Sequence, residues 1–470
     1  MCTRHNPNEL SARDGPAAAA MSSMVGCWVR QPPGIGMLIG CHGSHQDRSR
    51  LATVRAVPRA VNHFDAPVEH LHVRRHNLSL VLRLLAAQGP RSRAGVAATT
   101  GLTRATVSSL VADLIDRGLV KEVGPASDQG VGRPATLLQL DGSRVITLGL
   151  ELEVGFTSVL ANDLAGETVY QRWRPLSGAS TAFDDLMPVL VKELRRAVEA
   201  VENNGRRVAG ITVAVPGIAD AERGVVVRAP NLGWRDEPLR QRLIDALGGD
   251  LSVDLDNEAN LGALAEFRAG AVAGTQHLVY VLAVNGVGAG VIIGGAVFRG
   301  GSGAAGEVGH TTVQPRGLQC ACGSTGCWET TVGLRALLYD AVPDLAAGLM
   351  RDRRLSPEAK VAAVVARARA NNPIAIKGLR RFGRWLGVGL ANIVNSFNPQ
   401  VIVLAGFLPD VAPWVMQEAM AALRANSLAE SAQQCRIELS SLGFTAGALG
   451  CTIHASERLF ADPTLVPLIV

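Results

Sequence analysis

One short stretch constrains this chain more than any other: a histidine followed by three closely spaced cysteines. His310, Cys320, Cys322 and Cys327 stand in the pattern G-E-x-G-H-x9-C-x-C-G-x-x-G-C-x-E. A tetrahedral zinc ion takes four nitrogen or sulfur ligands, and one histidine with three cysteines supplies that set. The alternative is a group of unrelated buried thiols, which fits poorly because three of the chain's eight cysteines fall within eight residues. We therefore predict a structural zinc site, since four protein ligands leave no position for a catalytic water.

From Val145 onward, apolar strand-like runs alternate with amphipathic helical runs. In the first half we predict strands at 145–152, 155–163, 167–175, 208–217 and 251–257, helices at 183–201 and 258–271, and a loop at 225–234. The second half is predicted to hold strands at 277–286, 287–301 and 400–406, several helices, and a closing helix at 446–459. Strands followed by crossover helices, twice over, are typical of two α/β lobes with a cleft between them.

Residues 69–142 have the pattern of a winged helix-turn-helix. A first helix carries one apolar stripe at helical spacing, and Thr103 is placed to cap a later helix that ends near Gly118. The inward positions of these two helices are Leu78, Val81, Leu82, Leu85, Val107, Leu110, Val111 and Leu114. Two strands around the loop 125–133 would form the wing. The alternative is a three-helix module for protein interaction or dimerisation, which has the same periodicity.

The outward face of the later helix carries small and hydroxylic side chains, which allow a helix to lie deep in a DNA major groove. The residues predicted to contact DNA are Arg104, Thr106, Ser108 and Ser109 on this helix and Arg133 in the wing. An arginine can reach guanine or phosphate from the helix, and a phosphate or the minor groove from the wing.

Composition adds only general limits. The net charge of +5 permits nucleic-acid binding but does not establish it. No apolar run is long enough to predict a membrane span, and the five remaining cysteines have no framework spacing, so we expect a cytoplasmic protein. Residues 1–68 lack both a targeting pattern and helical or strand periodicity. We interpret them as a disordered or mis-assigned N-terminal extension.

The histidine and cysteine motif resembles the signature of the ROK family, which contains repressors, open reading frames and sugar kinases. The resemblance covers the chain after about residue 140 and implies a bilobal, ribonuclease-H-like domain (143–470) of the sugar-kinase and actin type. Within it, a zinc loop is expected at 307–329. The resemblance also implies that Glu307, His310 and Glu329 touch a sugar, together with Asn231, Asn257 and Glu258. The winged module is similar to those at the front of ROK repressors, such as the xylose and N-acetylglucosamine repressors.

The phosphate-binding turns depart from the pattern of ROK kinases. The first turn, Asp-x-Gly-Gly-Thr in the kinases, matches 151–155 here, where Glu151 replaces the Asp and Glu153 and Val154 replace the glycines. A carboxylate would repel phosphate, and Cβ atoms block the close approach of the backbone. The second turn keeps its glycines but has Asn285 in place of Thr, and the adenosine-side turn 404–407 has one glycine fewer. ATP binding is therefore not expected.

The position of the kinases' catalytic Asp is taken by Glu258, in Asn-Glu-Ala-Asn. Its longer side chain displaces the carboxylate, which is costly for a positioned base. We therefore assign no catalytic residue, and a helix-terminal acid favoured by the dipole is the structural alternative for Glu258.

Three functions remain in view at this stage. The first is a sugar-responsive transcriptional regulator, a repressor that binds operator DNA as a homodimer or homotetramer. The second is an ATP-dependent sugar kinase with an accessory DNA-binding head. The third is a structural zinc protein that binds neither ligand. The damaged phosphate turn and the helix-turn-helix favour the regulator.

Overall fold

A winged helix-turn-helix begins the part of the chain that the structure, a computed structural model, describes: residues 70–125, 136–176, 180–249, 251–352 and 354–468. Its elements are α1 (His70–Gln88), β1 (Arg91–Ser92), α2 (Arg93–Thr100), α3 (Arg104–Asp116), β2 (Val120–Pro125) and β3 (Thr136–Leu140). The hydroxyl of Thr103 accepts a hydrogen bond from the Thr106 amide at 3.1 Å, as expected of an N-cap. The three strands pair in the order β1-β3-β2, so the predicted helices and the two strands of the wing are present, while residues 126–135 of its loop lie outside the described residues. Residues 1–68 and Arg133 lie outside the described residues.

The first lobe is built on a five-stranded sheet. Its elements are β4 (Val145–Glu153), β5 (Phe156–Asp163), β6 (Thr168–Pro175), α4 (Phe183–Glu202), β7 (Arg207–Val215), β8 (Ile218–Asp220), β9 (Val225–Ala229), β10 (Trp234–Glu237), α5 (Leu239–Leu247), β11 (Val253–Asn257) and α6 (Glu258–Ala269). Strands β4, β5 and β6 form an antiparallel meander, and β7 and β11 extend it parallel to β4. Strand β4 is buried along its whole length, as expected for a strand covered on both faces.

The second lobe repeats this arrangement. Its elements are β12 (Leu278–Ala283), β13 (Val287–Ile293), β14 (Ala296–Val297), α7 (Glu329–Val332), α8 (Leu334–Ala341), α9 (Pro343–Arg351), α10 (Pro357–Arg369), α11 (Pro373–Phe397), β15 (Val401–Gly406), α12 (Leu408–Asn426), α13 (Ala429–Gln434), β16 (Arg436–Leu439) and α14 (Ala446–Ala461). Strands β12, β13 and β14 are antiparallel neighbours, and β15 and β16 continue the sheet parallel to β12. Two sheets with the same topology confirm the ribonuclease-H-like, bilobal fold.

One part of the first lobe differs from the sequence prediction. The stretch 225–234, predicted as a loop, contains β9 and the start of β10. Strand β9 pairs with β8 on one side and β10 on the other in a small antiparallel sheet, and Val226, Ala229 and Trp234 are buried in the core of the lobe. The Pro-Asn-Leu-Gly segment at 230–233 is only the turn of this hairpin. The turn residues dominated the local pattern, while the strands depend on pairing with β8, which lies before them in the chain.

Helices α6 and α14 lie between the two sheets and form an apolar layer with both of them. The two helices pack closely enough that a Cβ atom at Gly450 would overlap the backbone carbonyl of Leu261. Only glycine permits this contact, and packing at such short range transmits displacement because protein interiors are dense. The floor of the cleft therefore consists of two helices that touch both lobes.

The core of the winged module includes residues from the far end of the chain. Leu459 of α14 and Val466 pack with Leu78, Leu114 and their neighbours in one buried cluster. Arg117 donates a 2.5 Å hydrogen bond to the carbonyl of Val466. The winged module and the end of α14 therefore share one core.

Candidate functional site

A cleft of about 320 Å³ opens between the lobes, above the N-terminus of α6. It is bordered by the end of β4, the turn before β10, the β12–β13 hairpin and the loop that precedes α7. The site residues predicted from sequence all line this cleft, namely Asn231, Asn257, Glu258, Glu307, His310 and Glu329. The structure thus brings together six polar side chains from positions almost a hundred residues apart, as a polyhydroxylated ligand requires.

Asn257 holds the start of α6 in place. Its side-chain oxygen accepts hydrogen bonds from the amides of Ala259 at 2.8 Å and Asn260 at 3.1 Å. Its amide nitrogen donates to the Gly217 carbonyl at 2.9 Å and to the Glu258 carboxylate at 2.7 Å. With both polar atoms engaged in this way, Asn257 orients Glu258 toward the cleft. Glu258 also lies in the first turn of α6, so the alternative interpretation, an acid favoured by the helix dipole, fits the structure as well.

Three buried glutamates lie at the cleft: Glu153 and Glu258 line it, and Glu151 lies nearby at the start of α14. Burial raises the pKa of Glu151 to about 8, and the nearby charge of Glu153 adds to the shift. Burial likewise raises the pKa of Glu153 to about 7. Burial, together with the charge of Glu153, holds the pKa of Glu258 well above its usual value. These surroundings favour the protonated form of Glu258, in which its carboxyl group can donate a hydrogen bond.

Glu151 occupies the start of α14. Its carboxylate accepts a 3.1 Å hydrogen bond from the Ala448 amide, and a Cβ atom at Gly447 would overlap it. The free amides at a helix N-terminus are a place where proteins bind anions. Here a side chain of the chain itself takes that position.

A hydrogen bond connects the two turns that correspond to the phosphate-binding turns of ROK kinases. The Asn285 side chain donates a 3.0 Å hydrogen bond to the Val154 carbonyl, which joins the β12–β13 hairpin to the β4–β5 hairpin. Glu153 lines the cleft beside them. At the adenosine-side turn, the Phe407 ring is fully buried in the core of the second lobe, 6.2 Å from the Phe382 ring centroid.

The histidine and the three cysteines form one cluster, in which the four potential donor atoms lie within 4.8 Å of one another. The sulfurs of Cys322 and Cys327 are 3.7 Å apart, and Nδ1 of His310 is 3.6 Å from the sulfur of Cys320. Zn–S bonds of about 2.3 Å at tetrahedral angles imply S···S edges of about 3.8 Å. The donor set and its spacing can hold a metal ion of this kind. We call these four residues the histidine–cysteine cluster.

His310 connects this cluster with the cleft. Its Nδ1 faces Cys320, and its Nε2 lies 3.7 Å from the Glu307 carboxylate. Glu329, on the other side, has one carboxylate oxygen 2.8 Å from the Cys320 sulfur. A ligand on Nδ1 leaves Nε2 for a group in the cleft, so an ion in the cluster would fix the histidine ring for that contact.

Arg228 is a cleft residue that sequence reasoning missed. It lies on β9, lines the cleft, and donates a 3.4 Å hydrogen bond to the carbonyl of Cys322. This contact joins the first lobe to the cysteine loop of the second. Its position three residues before Asn231 was the available signal, but it required β9 to be recognised as a strand.

The predicted DNA-contacting residues of α3 lie on its outward face. Arg104, Ser108 and Ser109 are exposed and Thr106 is half-buried, whereas the four inward positions are buried. The hydroxyl of Ser108 donates to the Arg104 carbonyl at 2.9 Å. Arg74 of α1, which was not predicted, lies 3.4 Å from the Ser109 hydroxyl and forms an ion pair with Asp113. The face thus presents two arginines on adjacent helices.

Fold and site together define a class: a winged helix-turn-helix joined to a bilobal domain of the sugar-kinase and actin type, with a polar cleft and a histidine–cysteine cluster. Residues 148–458 match the ROK family, and residues 79–129 match the MarR family. The chain belongs to the ROK family.

The proteins similar to this chain include transcriptional regulators and sugar kinases. A putative xylose repressor from Caldicellulosiruptor sp. (strain Rt8B.4) is 31% identical over 84% of this chain and 99% of its own. A glucokinase from Streptomyces coelicolor is 33% identical over 48% of this chain and 73% of its own. The crystal structure of a ROK family transcriptional regulator, a homologue of the E. coli Mlc protein, superimposes with a TM-score of 0.70 at 25% identity, covering 83% of this chain and 97% of that one. The likeness to regulators extends through the winged module.

In the residues that the structure describes, no helix is both long and apolar enough to cross a membrane.

Proposed function

We propose that this protein is a sugar-responsive transcriptional regulator, a repressor of genes of carbohydrate metabolism, that binds operator DNA. The observation that carries the proposal is the shared core between the winged module and the end of α14, whose other end lies under the cleft. The likeness to a putative xylose repressor along 84% of the chain supports it. We assign residues 69–142 to DNA binding and 143–470 to sugar binding, and place the protein in the cytoplasm, where its DNA would be.

The effector in this proposal is a sugar held by Asn231, Glu258, Glu307, His310 and Glu329, with Asn257 as a positioning residue. A sugar presents hydroxyl groups that both donate and accept hydrogen bonds. The protonated Glu258 supplies a donor and the other carboxylates supply acceptors, which suits such a ligand. Because residues of both lobes line the cleft, a bound sugar would draw the lobes together.

We also propose that the histidine–cysteine cluster holds a structural zinc ion. His310, Cys320, Cys322 and Cys327 would complete the tetrahedron, so no coordination position remains for chemistry. The role of the ion would be to hold the loop 307–329 and the ring of His310 in a fixed position.

Several contacts support the proposal that the protein does not transfer phosphate from ATP. The Asn285–Val154 hydrogen bond closes the space between the two glycine turns, and Glu151 occupies the start of α14. Burial also raises the pKa of Glu258 and so favours its protonated form, which cannot accept a proton from a sugar hydroxyl. Glu258 therefore fits sugar binding better than catalysis.

The path from cleft to DNA runs along α6 and α14. Helix α6 begins at Glu258 in the cleft and ends near Arg268, which forms a 2.5 Å ion pair with Glu457 of α14. Arg83 of α1 lies 3.5 Å from the Glu457 carbonyl. A shift of α6 on sugar binding would therefore reach α1, which packs against the recognition helix α3.

In a homodimer or homotetramer, this shift would change the separation of two recognition helices. Helix-turn-helix dimers read two half-sites about one DNA turn apart, so a small change in their separation alters affinity. Arg104, Thr106, Ser108 and Ser109 would enter the groove, with Arg133 of the wing as a further contact.

To test the function, operator fragments are selected from genomic DNA with the purified protein, and their binding is measured across salt concentrations with and without sugars. We expect nanomolar binding that weakens steeply as salt rises and changes when the effector is added. A protein that binds no fragment in a saturable, salt-sensitive manner would refute the proposal.

The alternative is a sugar kinase, favoured by the place of Glu258 at the position of the kinases' catalytic Asp. An ADP-release assay over a panel of sugars distinguishes the two. Turnover that disappears in Glu258→Gln would establish the kinase.

A further inference from the structure

A second cavity, of about 610 Å³, adjoins the cleft. It shares Asn231, Asn285, Gly286 and Glu329 with the cleft, so the two spaces meet at the side chain of Glu329. We call it the side cavity. It lies between the cysteine loop and helices α8 and α11, and its lining does not include Glu151, Glu153 or Glu258.

Aromatic and apolar side chains are exposed on the walls of the side cavity. Tyr339 is 41% exposed and Leu318 is 65% exposed, although both are large and apolar over most of their surface. The guanidinium of Arg335 lies 4.8 Å from the Tyr339 ring centroid and holds one side of that ring. Trp385 of α11 also lines the cavity. Rigid rings beside a ligand cavity provide flat apolar surface at little cost in conformational entropy.

The polar groups of the side cavity are mixed in sign. Asp340 and Arg381 form an ion pair at 3.4 Å, and Gln314 and Arg316 contribute further donors and an acceptor. A surface with rings, donors and acceptors in alternation suits a sugar ring, which has apolar C–H faces and a polar edge.

The size of the two spaces adds to this argument. The cleft, at about 320 Å³, is at the lower end of the range for small-molecule sites, which suits one sugar ring. The side cavity is larger and continuous with it, so a ligand that fills only the cleft leaves the rings of the side cavity in water.

We infer that the effector is a disaccharide or longer glycoside, with one ring in the cleft and the next in the side cavity against Tyr339. This inference rests on the proposed function, since it names the class of sugar that the same site binds. A phosphorylated monosaccharide fits less well, because Arg381 is already paired with Asp340 and Arg335 lies against the Tyr339 ring.

The test compares matched ligands on the full-length protein by calorimetry and thermal shift. The pairs are xylose with xylobiose, glucose with cellobiose, and N-acetylglucosamine with its β-1,4-linked dimer; glucose 6-phosphate and N-acetylglucosamine 6-phosphate form a third arm. We expect one disaccharide to bind at least tenfold more tightly than its monosaccharide.

Substitutions of Tyr339 test whether the second sugar ring binds in the side cavity. Tyr339→Ala should reduce the affinity for that disaccharide about tenfold and leave the monosaccharide within twofold, as the loss of one aromatic contact predicts. Tyr339→Phe keeps the ring and should bind like the wild type. Leu345→Ala, an exposed leucine on the neighbouring α9, serves as the control for surface truncation.

Each other outcome contradicts the inference in a distinct way. Equal affinity for both members of every pair, or an unchanged Tyr339→Ala, removes the side cavity from recognition while the sugar-binding function stands. Preference for a phosphorylated monosaccharide makes the cavity an anion site instead. Failure of every sugar to bind refutes both the inference and the proposed function.

Discussion

At the scale of single residues, the most unusual feature is a set of buried carboxyl groups whose pKa values are raised. Glu151 and Glu153 are almost fully buried, and their pKa values are raised to about 8 and about 7. An ionised carboxylate in this position would be costly because it has lost its hydration. Glu151, Glu153 and Val154 stand where ROK kinases have the Asp and the two glycines of a phosphate turn, so buried side chains occupy the space that a phosphate would need.

Glu151 leads to a prediction about pH. Between its ordinary pKa of 4.5 and the folded value of about 8, the folded chain retains a proton that the unfolded chain has released. The contribution of Glu151 to stability is therefore greatest at low pH and is lost as pH rises toward 8, at about 1.4 kcal/mol for each pKa unit of difference. Glu151→Gln should match the wild type near pH 5 and exceed its free energy of unfolding by roughly 4 kcal/mol at pH 8.5.

Denaturant unfolding at the two pH values measures this difference. Glu167→Gln, at an exposed turn position, is the control and should show no pH-dependent gain. Parallel pH curves for Glu151→Gln and the wild type would mean that Glu151 is ionised in the folded protein.

Cys322 tests the metal cluster. Cys322→Ser removes one of four ligands, so zinc measured by mass spectrometry should fall from one ion per chain to near zero. Because the loop 307–329 carries cleft residues, the sugar response should be lost while DNA binding persists. Cys435→Ser, a buried thiol outside the cluster, should keep its zinc; a full sugar response in the Cys322 variant would disprove the coupling.

At the scale of elements, α3 and α14 have the main roles. Helix α3 shows its outward residues to solvent because its inward face is fixed by the core of the module. Helix α14 is about 24 Å long, at 1.5 Å per residue. It reaches from Glu151 under the cleft to the core of the winged module.

Arg104 provides the prediction for α3. Arg104→Ala should lower operator affinity at least tenfold, consistent with about 1–3 kcal/mol for a base contact. Fluorescence anisotropy over a salt series measures both the affinity and its salt dependence. Arg351→Ala, an exposed arginine at the end of α9, is the matched control, and equal losses in both variants would argue against a specific role for α3.

Elements with their own periodicity could be predicted from sequence, and those that depend on a distant partner could not. The stripe of α1, the Thr103 cap and the strand and helix alternation are local patterns, and the structure confirms them. Strand β1 has two residues and forms only because β3 lies beside it. Strands β8, β9 and β10 are consecutive antiparallel neighbours, and here the prediction failed because β8 has only three residues and the turn residues dominated the pattern.

The same distinction holds for the site. The motif residues could be collected from the sequence because the family resemblance supplied their spacing. Arg228 and the Asn285–Val154 bridge depend on how one lobe faces the other, and Tyr339 resembles an ordinary surface residue of α8 until the cavity beside it is seen. Apart from the place of Arg228 close to Asn231, these features have no signal in the neighbouring sequence.

At the scale of the whole molecule, the two ligand sites are joined by packed helices without a flexible linker between them. Helices α6 and α14 touch both sheets, and the Arg268–Glu457 ion pair joins their ends near α1. Coupling between two sites is typically 1–3 kcal/mol, or 5- to 150-fold in affinity. A contact at this junction can alter the coupling and leave each site intact.

Glu457→Ala tests the junction. Sugar affinity and operator affinity should each stay within about threefold of the wild type, while the change in operator affinity caused by sugar should fall at least fivefold. Titrations of operator with and without sugar give all three numbers. Glu430→Ala, an exposed acid on α13, is the control; undiminished coupling in the Glu457 variant would place the path elsewhere.

The position of Val466 in the core of the winged module has a consequence for synthesis. Folding from the ribosome proceeds from the N-terminus, yet this module lacks Leu459 and Val466 until more than three hundred further residues have been added. An interrupted translation product would therefore carry the helices of the winged module without a finished core. We expect such a fragment to be less stable than the module of the complete chain, so that a truncated product insensitive to sugar would accumulate poorly.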